Sequence, residues 1–439
     1  MNTPIADFIN SYISSKATRF HMPGHKGVGD IEKYDITEIA GADVLYSADG
    51  IIDESENNAT SLFGTEHSFY STEGSTLAIK AMLYLVSCGK SKTILAARNV
   101  HKAFVYGCAL LDLSVQWIYP KEFSHLCTCV ISANDIKNAL SEMSESPCAV
   151  YITSPDYLGN IADVEGIAKV CKEKNIPLLV DNAHGAYLNF LSPSKHPIAL
   201  GAAMCSDSAH KTLPVLTGGA YLHISKDYPE YTENARSALS LFASTSPSYL
   251  ILRSLDICNK YIEDNLRYEL SVCIEKTDTT KETLRKLGFT IRESEPLKIV
   301  IDANEVGYSG EQIGSFLRNH GIEAEFCDCE YTVLMTSPKN KDEDFQKLIC
   351  ALSELEIKQG IEHNEIKPNA PKKAMSIREA TFAPKIRIAV KDSLGKICAS
   401  PSVSCPPAVP IAVSGEIIGD REIEEFLNYG IDFVEVVKE

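Results

Sequence analysis

From about residue 68 to about residue 255, short apolar runs alternate with stretches of helical periodicity. The strand-like runs include Lys92–Ala97, Ala149–Thr153, Leu178–Val180 and Ala220–Ile224. Between such runs, Thr76–Ser87 and Val164–Lys174 repeat apolar residues at three- and four-residue spacing. Continuous apolar runs suit strands buried on both faces, and their alternation with helices signals an α/β domain with a mostly parallel sheet. Ile161–Asn182 is the clearest unit: a helix, a turn at Asn175-Ile176-Pro177, then the buried strand Leu178-Leu179-Val180.

Beyond residue 256 the pattern changes. A long helical stretch runs from Leu255 to about Leu287, followed by strand-like Leu297–Ile301 and helical Gly310–Asn319. The polar stretch Lys358–Lys373 contains Pro368 and Pro371 and reads as a linker or exposed loop. Near the end, Pro401, Pro406, Pro407 and Pro410 punctuate short strands and turns. The expected organisation is a large α/β domain over residues 1–255 and a smaller C-terminal α/β region over 256–439, with a linker near 358–373.

Composition narrows the function. Of 439 residues, 44% are hydrophobic and 23% charged, which excludes a disordered or fibrous chain. Set against 59 Asp+Glu, 42 Lys+Arg leave a net charge of −17. Such a chain repels a phosphate backbone, so no nucleic-acid partner is expected, and cationic small molecules are attracted. The N-terminus has no basic region followed by an apolar one, and no run of ~18 apolar residues occurs. A cytoplasmic protein without a membrane partner is expected. The 14 cysteines show no CxxC…CxxC pairing, and Cys127 and Cys129 form only a CxC that suits alternate faces of a strand. Reduced thiols are expected, and no metal site.

Five segments carry candidate chemistry. In Ser206-Asp207-Ser208-Ala209-His210-Lys211-Thr212, the lysine is poorly explained as a solvated charge. It could form an imine with pyridoxal 5′-phosphate (PLP), with the neighbouring hydroxyl and imidazole on the phosphate. Thirty residues upstream, Asp181 ends a buried strand, where open α/β sheets place their ligands. It could pair with a pyridine nitrogen, or cap the turn that begins Asp181-Asn182-Ala183-His184. Gly74-Ser75-Thr76 opens a helix and offers N–H groups and hydroxyls to a phosphate, or serves as an ordinary cap. His101, after the strand ending at Ala97, could stack on a flat cofactor or be structural. Phe20-His-Met-Pro-Gly-His-Lys-Gly27 is a Gly/Pro turn with two histidines and a lysine. Gly89-Lys90-Ser91 is a decoy, because a P-loop needs glycine where Tyr84 stands.

Taken together, these segments resemble the fold-type I, PLP-dependent ornithine/lysine/arginine decarboxylases over nearly the whole chain. Met22–Gly27, Gly50-Ile51-Ile52, Leu62-Phe63-Gly64 and Gly74–Thr76 resemble the family's N-terminal motifs. Arg98–Lys102 resembles its stacking-histidine segment. Asp181–Gly185 and Ser208–Thr212 resemble its pyridine-nitrogen and Schiff-base segments. Ser244–Tyr249 resembles a phosphate-contacting stretch that reaches the neighbouring subunit. Arg378-Glu379-Ala380, Pro406-Pro407 and Ser414-Gly415-Glu416 resemble C-terminal motifs.

The resemblance implies an aspartate aminotransferase-like large domain and roles for single residues. Lys211 is the Schiff-base lysine, Asp181 pairs with the ring nitrogen, His101 stacks on the ring and Ala183 packs on its other face. Gly74, Ser75, Thr76, Ser208 and His210 hold the phosphate, helped by Thr245 or Ser246 of a partner in a homodimer with shared active sites. Lys211 and His184 are candidates for returning the proton to Cα, and Glu416 for the distal cation of a basic amino acid. Arginine is favoured, because the chain resembles the short form without the N-terminal wing domain. The sequence departs from the family at Cys405, Ala408 and Ser414, where Tyr, Gly and Pro are usual, and at Asp207, a negative charge beside a phosphate site. Alternatives are a PLP-dependent aminotransferase or lyase, and a catalytically silent polyamine-binding regulator.

Overall fold

The computed structural model describes residues 1–89, 91–120, 125–361, 370–401 and 407–438. Lys90 of the decoy, most of the expected linker (362–369), and Cys405 and Pro406 lie outside the described residues. In chain order the strands are β1 (His67–Ser71), β2 (Thr93–Ala97), β3 (Ser114–Ile118), β4 (Ala149–Thr153), β5 (Leu178–Asp181), β6 (Met204–Asp207) and β7 (Ala220–Ile224). After them come β8 (Thr290–Arg292), β9 (Lys298–Asp302), β10 (Phe326–Cys327), β11 (Tyr331–Met335), β12 (Lys385–Ala389) and β13 (Phe433–Val437). The first helices are α1 (Pro4–Ser14), α2 (Ile51–Phe63), α3 (Gly74–Ser87) and α4 (Lys102–Leu111).

Two compact units divide these elements. The first comprises Met1–Ser91, Glu145–Ser154 and Val164–Arg267. Its strands lie in the order β1-β7-β6-β5-β4. β4, β5 and β6 pair in parallel, while β7 runs antiparallel to both β6 and β1. Only β7 is therefore reversed among the five. All four residues of β5 and of β6 are buried, as expected for strands covered on both faces. The direction of β4, β5 and β6 brings the ends of β5 and β6 to one sheet edge, with Asp181 closing β5 and Lys211 on the helical turn after β6.

The second unit comprises Lys92–Ser144, Pro155–Asp163 and Tyr268–Glu439. It holds the parallel pair β2–β3, a four-stranded antiparallel sheet of order β10-β11-β9-β8 and the antiparallel pair β12–β13. Ile299 and Ile301 of β9 pack with Leu284, Ile313, Leu317 and Leu352 in one core. Val434 and Val436 of β13 pack with Val390, Ile418 and Phe426 in another. The long helical stretch expected near 255–287 is continuous from Tyr249 to Lys286, with a π-turn over Ile262–Leu266. No helix of the described residues is long and apolar enough to cross a membrane.

Candidate active site

In the first unit, the turns after β5 and β6 and the start of α3 gather most of the candidate residues. Asp181 is buried at the end of β5. Its Oδ1 accepts the Ala183 N–H at 3.2 Å, and the Tyr151 hydroxyl donates to its Oδ2 at 3.4 Å. Burial pushes the carboxyl up to about 6, although Lys211 and the Ala183 N–H pull the other way. A cationic ring nitrogen beside it would restore the anion.

Lys211 sits on the single helical turn Ala209–Thr212 that follows β6. Its Nζ lies 3.1 Å from Nε2 of the buried His184. Thus an amine and an imidazole share a hydrogen bond across 27 residues of sequence, close enough for a proton to pass between them.

The third part is the N-terminus of α3. Ser75 Oγ and Ser208 Oγ share a hydrogen bond of 2.7 Å. Gly74 has φ +70, a left-handed backbone that favours glycine, and its N–H donates to the Gly218 carbonyl at 2.7 Å. The His210 ring is fixed by its Nδ1–H, which donates to the Gly219 carbonyl at 3.0 Å. Two hydroxyls at a helix start, with an imidazole on the adjoining turn, can accept a phosphate. Thr76 is exposed on the same turn. Thr245 and Ser246 are exposed, and their segment is tied to this corner by the Ser244 N–H, which donates to Glu73 Oε1 at 2.7 Å.

A family model described as "Orn/Lys/Arg decarboxylase, major domain" matches residues 3–303. The chain belongs to the Orn/Lys/Arg decarboxylase family. Membership carries the family's reaction class, decarboxylation of a basic amino acid. The chain is 28% identical to the arginine decarboxylase of Bacillus subtilis over 456 residues, covering 96% of this chain and 92% of the relative. It is 24% identical to the constitutive lysine decarboxylase of Escherichia coli over 306 residues, 60% of this chain and 40% of that protein. The fold is that of the Francisella novicida lysine decarboxylase LdcF, with a TM-score of 0.83, 17% identity, and coverage of 99% of this chain and 81% of that one. Serine palmitoyltransferase from Sphingomonas wittichii is more distant, at a TM-score of 0.58 and 13% identity, covering 80% of this chain and 83% of that one. These likenesses show the fold-type I architecture that the motifs implied.

The motifs that carry His101 and Glu416 lie in the second unit. His101 caps α4, its Nδ1 accepting the Ala103 N–H at 3.1 Å. Glu416 is buried, and its Oε2 takes the Arg98 guanidinium at 3.2 Å and the Val413 N–H at 2.7 Å. Burial raises its carboxyl, and Arg98 opposes that rise. Arg98 also donates to the carbonyls of Pro410 and Ile411, at 3.0 and 3.1 Å. The Glu416 carboxylate therefore already serves a buried ion pair.

The departures from the family motif have local consequences. Ala408 adopts φ +58, which explains why glycine is usual there, and its carbonyl accepts the Lys102 N–H at the start of α4 at 3.0 Å. Ser414 donates to the Ala399 carbonyl at 3.2 Å. Asp207, read from sequence as a charge beside the phosphate site, makes its contacts elsewhere. Its carboxylate is fully buried and contacts His196, His223 and Asn182. Burial would raise it, but the two histidines hold it well below the usual carboxylate range. Sequence reasoning missed Tyr151, His196 and His223. Tyr151 and His223 sit in apolar strands, where only register reveals them, and His196 sits in the loop before β6, where only the fold brings it to Asp207.

Proposed function

We propose that this chain is a PLP-dependent decarboxylase whose substrate is arginine. The observation that carries the reading is the grouping of Lys211, His184 and Asp181 in one unit, together with the likeness of nearly the whole chain to an arginine decarboxylase. The residues fit PLP. A half-buried lysine amine suits its aldehyde, a buried carboxylate its ring nitrogen, and the Ser75–Ser208 pair at a helix start its phosphate. When bound, PLP supplies an electron sink for the charge left at Cα after CO2 departs.

The chain's own residues then have defined tasks. Asp181 holds the ring nitrogen charged. Ser75, Ser208 and His210, with Gly74 and Thr76, anchor the phosphate, and Thr245 or Ser246 of a partner subunit adds to it in a homodimer. His101 stacks on the ring and Ala183 covers its other face. Lys211 and His184, 3.1 Å apart, hold and return the proton that Cα receives. Glu416 is the proposed acid for the substrate's distal cation, and the net charge of −17 favours a cationic substrate. The proposed location is the cytoplasm.

The test is one mixed assay. Purified protein with PLP receives equal arginine, lysine and ornithine, and mass spectrometry follows agmatine, cadaverine and putrescine. Dominant agmatine is expected. Dominant cadaverine or putrescine reassigns the substrate. No amine, despite visible absorption that Lys211→Ala removes, favours the aminotransferase or lyase reading.

A further inference from the structure

Behind the Lys211 turn, in the interior of the first unit, lies a cluster that the proposed reaction does not use. Cys205 and Asp207 are two apart on β6 and so share a face. His223 of the antiparallel β7 stands directly opposite Cys205 in the register, on that same face. His196 joins them from the loop before β6. All four side chains belong to fully buried residues.

We propose that Cys205, His196, Asp207 and His223 form a closed site for one divalent metal ion of the zinc class. Distances carry the first part of the argument. His196 Nε2 lies 2.9 Å and His223 Nε2 3.3 Å from Asp207 Oδ2. Cys205 Sγ lies 3.8 Å from His196 Nε2 and 3.7 Å from Asp207 Oδ1. Donors at ordinary zinc bond lengths around a tetrahedron stand about 3.3–3.6 Å apart. The ligand atoms of His196, Asp207 and His223 all lie within 4.8 Å of one another before any ion is placed, and the Cys205 sulfur stands 3.7–3.8 Å from two of these residues.

Orientation carries the second part. His223 Nδ1 is engaged with Ser68 Oγ at 2.8 Å, which fixes the ring and leaves Nε2 facing the cluster. That Nε2 is buried without a hydrogen-bond partner and stands 3.3 Å from Asp207 Oδ2. A buried nitrogen aimed at a carboxylate oxygen without a bond is explained by a cation between them. Asp207 is oriented from behind by Asn182 Nδ2, which donates to its Oδ1 at 2.7 Å.

Charge carries the third part. A thiolate, a carboxylate and two neutral imidazoles around a dication sum to zero, the only balance that a site without solvent access holds cheaply. The mixed S, N and O donor set suits zinc-class ions and not magnesium or calcium. Among the described residues, a second cluster, Asp53, Glu56 and His67, lacks this character. Arg236 Nη2 already lies 2.9 Å from Asp53 and 2.7 Å from Glu56.

The test is metal content. Untagged full-length protein, expressed with added ZnCl2 and purified without chelator, is analysed by plasma mass spectrometry. Close to one ion per chain is expected, falling at least tenfold in His196→Gln and in His223→Gln and unchanged in Asp53→Asn. As a check that needs no variant, unfolded protein refolded with CoCl2 should show the visible bands of tetrahedral cobalt with sulfur-to-cobalt charge transfer. Folded wild-type protein with under a tenth of an ion per chain and no cobalt spectrum overturns the site. So does metal retained in full by both histidine variants.

Discussion

Lys211 Nζ and His184 Nε2 lie 3.1 Å apart, so one of the two nitrogens holds the proton that the other lacks. Removing each partner should therefore have different effects. Lys211→Ala should abolish turnover and the visible absorption of PLP-loaded protein. His184→Ala should keep the absorption and lower kcat by about 10²-fold, the usual contribution of a positioned acid or base. Steady-state kinetics with a parallel absorption spectrum separates them. Unchanged kcat in His184→Ala would leave Lys211 as the only proton carrier of the pair.

A second prediction concerns Asp256, buried beneath α1. Its Oδ2 accepts the Ala6 N–H at 2.9 Å and its Oδ1 the Ser55 hydroxyl at 2.6 Å. Burial nevertheless pushes the carboxyl from 3.8 up to about 6. A raised carboxyl stabilises the fold when protonated, so its contribution is full below about pH 4 and is lost as pH rises through 6. The displacement corresponds to on the order of 3 kcal/mol. Urea titrations at pH 4.5 and 7 should show this component, and Asp256→Asn should remove it.

Two backbone positions in the second unit should respond in opposite directions. Ala408 holds φ +58, so Ala408→Gly should stabilise by about 1 kcal/mol. Gly415 has φ +93, and a Cβ there would stand 2.4 Å from the Met375 carbonyl oxygen. Gly415→Ala should destabilise by about 2 kcal/mol or more. Urea midpoints at constant slope are the measurement.

Arg98 and Glu416 supply a fourth prediction. Arg98→Met leaves a buried carboxylate without its cation and should cost about 3–5 kcal/mol. Glu416→Gln should cost less, since Arg98 keeps the carbonyls of Pro410 and Ile411. If Glu416 also recognises the substrate, Glu416→Gln raises KM for arginine at least tenfold with kcat nearly unchanged. An unchanged KM would confine Glu416 to the ion pair.

Much of this site is legible in the sequence because its chemistry sits just after buried strands. Leu178-Leu179-Val180 announces a strand, and the carboxylate that follows can only lie at its end. The Lys211 turn is read from its own residues instead, a lysine set among Ser208, His210 and Thr212. Side-chain facing within a fully buried strand is not legible, because polarity no longer marks the two faces. Asp207 therefore reads as a neighbour of the phosphate hydroxyls, whereas in the fold it makes its contacts with His196 and His223. Pairings that depend on topology are equally hidden. Arg98 meets Glu416 across 318 residues, and Cys205 meets His223 only because β7 is reversed.

That reversal also constrains chain length. The return from Lys211 into β7 passes through Gly218 and Gly219, whose carbonyls accept the Gly74 N–H and the Nδ1–H of His210. Adding or deleting one residue between Thr212 and Gly218 would shift both attachments at once, and with them Ser75, His210 and the Lys211 amine. Insertions among relatives of this chain should accordingly avoid this short return.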